Sequence, residues 1–157
     1  MLRFKYRMRP RALSKAMGID KDGHGLGPQG RLDKMKLLVT ALIRHERLEG
    51  SMATMDEARG YAERLIQLAQ KHGDKHGPTM DMADKWLLEK DLIHKLFKVL
   101  APRYESYDTA FTRLHRLPSL YPGSFNRKAV LELKGNPWPP VVPHQRSLEN
   151  SLVNVLL

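Results

Sequence analysis

The sequence predicts an α+β domain in which about three helices pack on a small mixed β-sheet, with an extended basic tail before it and a proline-rich tail after it. Three observations predict this. Apolar residues recur at three-and-four spacing from Leu32 to Leu100 and then switch to alternation between Phe111 and Lys134. Glycine and proline punctuate the joints between these stretches. Both ends lack a sustained apolar face. The predicted division is residues 1–30 as a basic arm and glycine-rich loop, 31–134 as the folded domain, and 135–157 as a carboxyl-terminal extension.

Taken in order, the first element is a helix. Leu32, Met35, Leu38, Val39, Leu42 and Ile43 form one buried stripe, and Arg31, Lys34, Lys36, Arg44 and Arg47 fall mostly outside it. Arg47 to Met52 is short enough for a strand. Thr54-Met-Asp-Glu57 then has the letters of a capping box, in which Thr54 accepts the Glu57 amide while Glu57 reaches back. Ala58, Tyr61, Ala62, Leu65, Leu68 and Ala69 make one face of the helix it would open, and Gly73 stops it. After a polar loop at 73–79, a third helical region runs from Met80 to Leu100, with an interruption near Asp91, and Pro102 ends it. Phe111–Leu117 and Arg127–Lys134 read as two strands of a hairpin, joined by a long loop carrying Pro118, Pro122 and Gly123. Trp86 is expected in the core. Trp138, within Pro137-Trp-Pro-Pro140, reads as an anchor for a tail lying on another surface. Leu148, Leu152, Val155 and Leu156 suggest a short amphipathic helix at the end.

Composition narrows the function classes. The 157 residues include 27 Lys and Arg against 17 Asp and Glu, a formal net charge of +10. Such a surplus favours polyanionic partners. There is no cysteine, hence no disulfide framework and no thiolate metal site. No apolar run approaches the roughly 20 residues of a membrane span. The first nineteen residues hold Arg3, Lys5, Arg7, Arg9, Arg11 and Lys15 with no acid before Asp20. That composition suits a mitochondrial targeting segment and equally a basic arm that lies on nucleic acid. In the arm, Phe4 and Tyr6 interleave with the cations and offer rings for stacking on exposed bases.

Catalytic and metal-binding patterns are weak. Gly25-x-Gly27-x-x-Gly30 matches the dinucleotide fingerprint by letter, yet Asp20-Lys-Asp-Gly23 is no strand to lead into it and Pro28 has no amide hydrogen to donate. His72 and His76 stand four apart, but Gly73 and Gly77 interrupt the helix that would align them and no third ligand is in view. His45-Glu46 are sequence neighbours and point to different sides of a helix. No catalytic residue, no metal, no cofactor and no small-molecule substrate are therefore expected.

Several runs occur together in an order that resembles the large-subunit ribosomal protein seventeen family of bacterial and organellar ribosomes. They are Thr40-Ala-Leu-Ile-Arg-His-Glu-Arg-Leu48, Arg59-Gly-Tyr-Ala-Glu-Arg-Leu-Ile66, Lys90-Asp-Leu-Ile-His-Lys-Leu-Phe97, Ala101-Pro-Arg-Tyr104 and Phe111-Thr-Arg-Leu114. Gly25-Leu-Gly-Pro28, Ala83-Asp-Lys-Trp-Leu87 and Lys134-Gly-Asn136 resemble the mitochondrial branch. The resemblance implies a structural constituent of the mitochondrial large ribosomal subunit, located in the matrix, bound to large-subunit rRNA near the polypeptide tunnel exit beside other large-subunit proteins. An RNA-binding assembly or regulatory factor that visits the ribosome transiently is the alternative. The expected RNA contacts are Arg3, Lys5, Arg7, Arg9, Arg11, Arg31, Lys36, Arg44, His45, Arg103, Arg113, His115, Arg116 and Arg127; the expected protein contacts are Trp138, Leu148 and Leu152. The chain also departs from the family pattern. Gly30 precedes Arg31 where a His-Arg pair is usual, Leu37 follows Lys36 where the family has an Arg-Asn pair, and Thr109-Ala110 stand where a Gly-Gly commonly precedes the first hairpin strand.

Overall fold

Hydrophobic stripes and strand alternation place most elements where the sequence puts them, and the differences have local causes. The computed structural model describes residues 27–108, 110–118, 127–142 and 156. The expectations for the amino-terminal arm, the 119–126 connection and the Leu148/Leu152 segment lie outside the described residues.

Helix α1 spans Gly27–His45. It therefore begins inside the stretch expected to be loop, with Pro28 in the first turn, where a missing amide hydrogen costs nothing. Its stripe is fully buried at Met35, Val39, Leu42 and Ile43. Strand β1 (Arg47–Ser51) leads directly into helix α2 (Met52–His72). The capping-box expectation fails here. The helix already starts at Met52, Ser51 sits at its cap in extended backbone without a side-chain bond, and Glu57 takes the Arg31 guanidinium at 2.5 Å instead. At Gly50 a side chain would collide with the Met55 methyl, 2.7 Å from where its Cβ would lie. Gly73, at φ +70°, closes α2 as expected by donating to the Ala69 carbonyl at 3.0 Å.

Helix α3 (Gly77–Trp86) opens three residues before Met80 because Pro78 suits a first turn. After a break at 87–90, helix α4 (Asp91–Lys95) passes into a π-helical turn (Leu96–Leu100) and a last short segment, α5 (Ala101–Arg103). Pro102 does not end the helix, as its type suggested. The wider turn sits just before it, and the Ala101 amide donates to the Leu96 carbonyl, five residues back. Pro102 has no amide hydrogen for the Lys98 carbonyl and its ring would crowd it, so the extra residue relieves a conflict and lets the chain run on.

Strands β2 (Thr112–Arg116) and β3 (Lys128–Leu133) complete a sheet of order β1-β3-β2. The sheet is antiparallel throughout, not mixed: β3 runs against both neighbours, so β1 and β2 share a direction but never touch. Ala129, Leu131 and Leu133 on β3 face the helices, and Leu131 and Leu133 join one core with α1, α2 and the α4–α5 run. Lys128, Val130 and Glu132 alternate with them on the opposite face. Tyr104 and Phe111 are the bulkiest fully buried side chains, with rings 5.2 Å apart. Burial pushes the Tyr104 phenol up to about 12, and its hydroxyl donates to the Lys134 carbonyl at 2.8 Å. Trp86 is only half-buried, its ring 4.7 Å from that of Tyr61.

A buried carboxylate starts β2. Glu63 on α2 accepts the Phe111 amide at 3.0 Å, the Thr112 amide at 2.8 Å and the Thr112 hydroxyl at 2.7 Å. The residue just before that clamp, Ala110, is held at φ +64°, a left-handed conformation that strains an L side chain by roughly 1–2 kcal/mol. Ala110→Gly removes that strain at the cost of a freer unfolded chain, so it should raise stability by up to about 1 kcal/mol. Urea denaturation checks this: a higher midpoint with an unchanged slope is expected, and a lower midpoint contradicts it.

Candidate nucleic-acid interface

Charged side chains in this domain divide into two populations, and the division begins at the end of α1. The last carbonyls of a helix have no partner within it. Here those of Leu42, Arg44 and His45 are met, as is that of Glu46 just beyond. Glu46 flips to φ +61° and its amide returns to the Leu42 carbonyl at 2.8 Å, an αL ending of the kind usually made by glycine. The Lys95 ammonium donates to the Arg44 carbonyl at 3.0 Å, the Trp138 indole to the His45 carbonyl at 2.9 Å, and the Leu133 amide to the Glu46 carbonyl at 2.9 Å. One turn thus joins α1, α4, β3 and the segment after the sheet.

The Glu46 side chain reinforces that junction. It is buried and bonded by Arg103 at 2.6 Å and Lys95 at 2.9 Å. Burial by itself raises the Glu46 carboxyl, but the hydrogen bonds and charges of Arg103 and Lys95 outweigh it and hold the group below its usual value. Arg103 is raised in turn, chiefly by its bond to Glu46. Lys95 and Arg103 lie eight residues apart, which in a continuous α-helix leaves them about 80° out of line. The π turn between them, with its wider winding, cancels much of that offset, so both reach one carboxylate.

Glu132 plays the same part on the outer sheet face. It stands between Arg47 and Arg113 in the strand register. It accepts from Arg47 at 2.8 Å, His115 at 2.9 Å and Asn136 at 3.3 Å. Burial raises its carboxyl, and the bonds from His115, Arg47 and Asn136 bring it below the ordinary value. Arg47 also donates to the Pro139 carbonyl at 2.6 Å, drawing the proline-rich segment onto β1.

Against this frame the expected RNA contacts separate. Arg103 and His115 are bound to buried carboxylates, and Arg31 to Glu57, so these groups are engaged within the domain. Lys36 lies 3.8 Å from Asp33 with most of its side chain covered. Arg44 pairs with Glu89 at 2.6 Å but keeps 55% of its side chain exposed. His45, Arg113, Arg116 and Arg127 are exposed. Arg113 makes no ion pair among the described residues, although it is directly across from Glu132. Arg3, Lys5, Arg7, Arg9 and Arg11, like Leu148 and Leu152, fall outside the described residues. Trp138 lies against this chain's own α1 terminus, with 53% of it exposed. Glu46, Glu63 and Glu132 were missed as organising residues. An acid beside an apolar stripe carries no mark in the sequence that says it is buried.

Hollows are few and shallow. One of about 190 Å³ lies along Leu37, Ala41, His45 and Leu88, and one of about 320 Å³ lies along Ala69, Phe97, Ala101 and Pro102. Neither sets a nucleophile against a base. The His72 and His76 rings stack at 4.6 Å, and His76 Nδ1 lies 2.8 Å from the Thr79 hydroxyl. Among the described residues no group of three or more His, Cys, Asp or Glu is placed to hold a metal. No described helix is long and apolar enough to cross a membrane.

Acids turned inward onto their own cations, with other cations left facing outward, define a basic structural protein whose surface is its working part. Comparison with known sequences gives that class a family. Residues 34–134 match the family described as Ribosomal protein L17, and the chain belongs to it. The large ribosomal subunit protein bL17 of Hydrogenobaculum sp. (strain Y04AAS1) is 38% identical over 102 residues, 65% of this chain and 84% of that protein. The bL17 of Geobacter sulfurreducens is 34% identical over 116 residues, 73% of this chain and 64% of its own length. The bL17m of Schizosaccharomyces pombe is 35% identical over 85 residues, 54% of this chain and 41% of its own. The match therefore spans under two thirds of the Geobacter relative and about two fifths of the yeast one. The family is a structural component of the ribosome and not an enzyme family.

Because Glu46 is held below its unfolded value, its contribution to stability is complete above about pH 4.5 and is lost as the pH falls through the lower folded value. Glu46→Gln should cost about 3 kcal/mol at pH 7, since two partly covered cations lose their partner. It should also flatten the acid limb, so that variant and parent converge as the pH falls through that lower folded value. Urea titrations between pH 3 and 7 check this, and a constant gap at every pH contradicts it.

Proposed function

We propose that this protein is a constituent of the mitochondrial large ribosomal subunit that binds and stabilises large-subunit rRNA near the polypeptide tunnel exit, alongside neighbouring large-subunit proteins. The observation that carries the rRNA reading is that Glu46 and Glu132 face inward onto their own partners, while Arg113, Arg116, Arg127, Arg44 and His45 are exposed on the surface. Membership of the ribosomal protein L17 family supports the ribosomal setting, and the similarity to a relative named bL17m supports the mitochondrial one. The acid-free run from Arg3 to Lys15 supports both an arm on RNA and delivery to the matrix.

The mechanism is charge neutralisation on a rigid support. Each phosphate that meets a lysine or arginine releases condensed counterions, so affinity falls steeply with salt. A cation held on a strand backed by helices loses little freedom when it binds. Arg113 is placed this way near the start of β2, and Arg31 and Lys36 would serve RNA only by exchanging Glu57 and Asp33 for phosphate. Leu148 and Leu152 are proposed to meet a neighbouring protein.

The full chain is expected to retain large-subunit rRNA at moderate ionic strength and to co-sediment with large subunits at equal stoichiometry after a high-salt wash. Loss in the wash would favour a transient assembly factor. Arg113→Ala should lower the slope of log affinity against log salt by about 1 while leaving the urea midpoint unchanged. An unchanged slope removes Arg113 from the interface. Truncation after Gly135 should weaken protection of neighbouring proteins from protease, and unchanged incorporation and protection would remove the carboxyl-terminal contact.

A further inference from the structure

Trp138 is exposed over 53% of its surface, yet it is not loosely held. Its indole nitrogen donates to the His45 carbonyl at 2.9 Å, and its amide donates to Asn136 Oδ1 at 3.0 Å. Asn136 is itself tied down, donating to the Leu133 carbonyl at 2.7 Å and to Glu132 at 3.3 Å. On the other side the Pro139 carbonyl accepts from Arg47 at 2.6 Å, and prolines at 137, 139 and 140 restrict the backbone around the ring. The indole is thus set against the terminus of α1 by bonds on both of its sequence flanks.

This leaves the ring a single thing to offer. An interfacial tryptophan commonly contributes both an apolar body and an N–H donor. Here the donor is engaged within the chain, so an incoming group meets only the π surface. Basic side chains end the same helix. His45 is exposed, and Arg44, next to it in sequence, keeps 55% of its side chain in solvent while pairing with Glu89, which a phosphate would have to displace. Glu46 and Glu132 are buried and already bonded by Lys95, Arg103, Arg47 and His115. A rigid aromatic face whose donor is engaged, bordered by cations and free of unmatched acid, suits an unpaired nucleobase whose flanking phosphates reach the basic groups.

We propose that Trp138 is a stacking platform for an unpaired base of single-stranded or loop RNA, with Arg44 and His45 receiving the adjoining phosphates. This rests on the RNA-binding reading above and adds a subsite to it, in place of the expected contact of Trp138 with a neighbouring protein.

The test uses the full chain carrying Trp86→Phe, so that Trp138 is the sole indole emitter. A single-stranded RNA oligomer should quench its fluorescence, whereas heparin, a polyanion without bases, should bind without quenching. Trp138→Ala should weaken binding of the oligomer about tenfold, and Trp138→Phe, which keeps a ring but loses the N–H, should lose less. RNA retention without quenching overturns the stacking site and leaves the RNA-binding reading standing. Neither retention nor quenching overturns both. Quenching by protein from dissociated large subunits but not by RNA assigns the ring to a protein contact and overturns the proposal.

Discussion

The structure depends on one constraint: a buried acidic side chain must be met by donors, either cations or backbone amides. Glu46 shows how this works. Its backbone occupies a left-handed position that glycine would take without strain, and its carboxylate lies among apolar neighbours, where an unpaired charge would be untenable. Both costs are offset by the same arrangement, because Arg103 and Lys95 reach it from the far side of the helical layer while Leu133 closes its carbonyl from the sheet. The result ties α1 to β3 and to the α4–α5 run through one residue. Hydrophobic burial supplies most of the driving force but has no direction. The charged junctions set where the layers meet.

Glu63 and Glu132 extend the pattern to the two other places where sheet and surroundings must be registered. Glu63 fixes the entry of β2 through two consecutive amides, and Glu132 locks the outer face by drawing Arg47, His115 and Asn136 together. Glu132, like Glu46, therefore removes basic groups from the surface, whereas Glu63 serves the backbone and hydroxyl of β2. Arg103 and His115 look, by type and position, as suited to RNA as Arg113 does. What separates them is the buried carboxylate to which each is bonded. For the same reason a count of basic residues overstates the binding surface of such a domain.

Apolar periodicity made the architecture legible. Met35, Val39, Leu42 and Ile43 on α1 and Ala129, Leu131 and Leu133 on β3 are all at 0% exposure, because a stripe at helical or strand spacing has only one way to be buried. The elements that were missed depend on partners distant in sequence. Thr54 and Glu57 have the right letters for a cap, but Arg31, twenty-six residues earlier, claims Glu57. The π turn answers Pro102 and serves Glu46, and neither demand is visible within the helix. Trp138 reads in the sequence as an anchor on another surface, and its indole nitrogen is bonded to the α1 terminus of its own domain. Family resemblance supplied the ribosomal setting, which composition could narrow only to polyanions.

A double-mutant cycle on Glu46 and Arg103 measures the junction directly. Glu46→Gln, Arg103→Met and the pair are compared by urea denaturation at neutral pH. If the buried carboxylate and its guanidinium hold the layers together as a unit, the double variant loses less than the two single losses added, with a coupling of at least about 1 kcal/mol. Losses that simply add would mean that packing alone positions α1 against the α4–α5 run, contrary to this account.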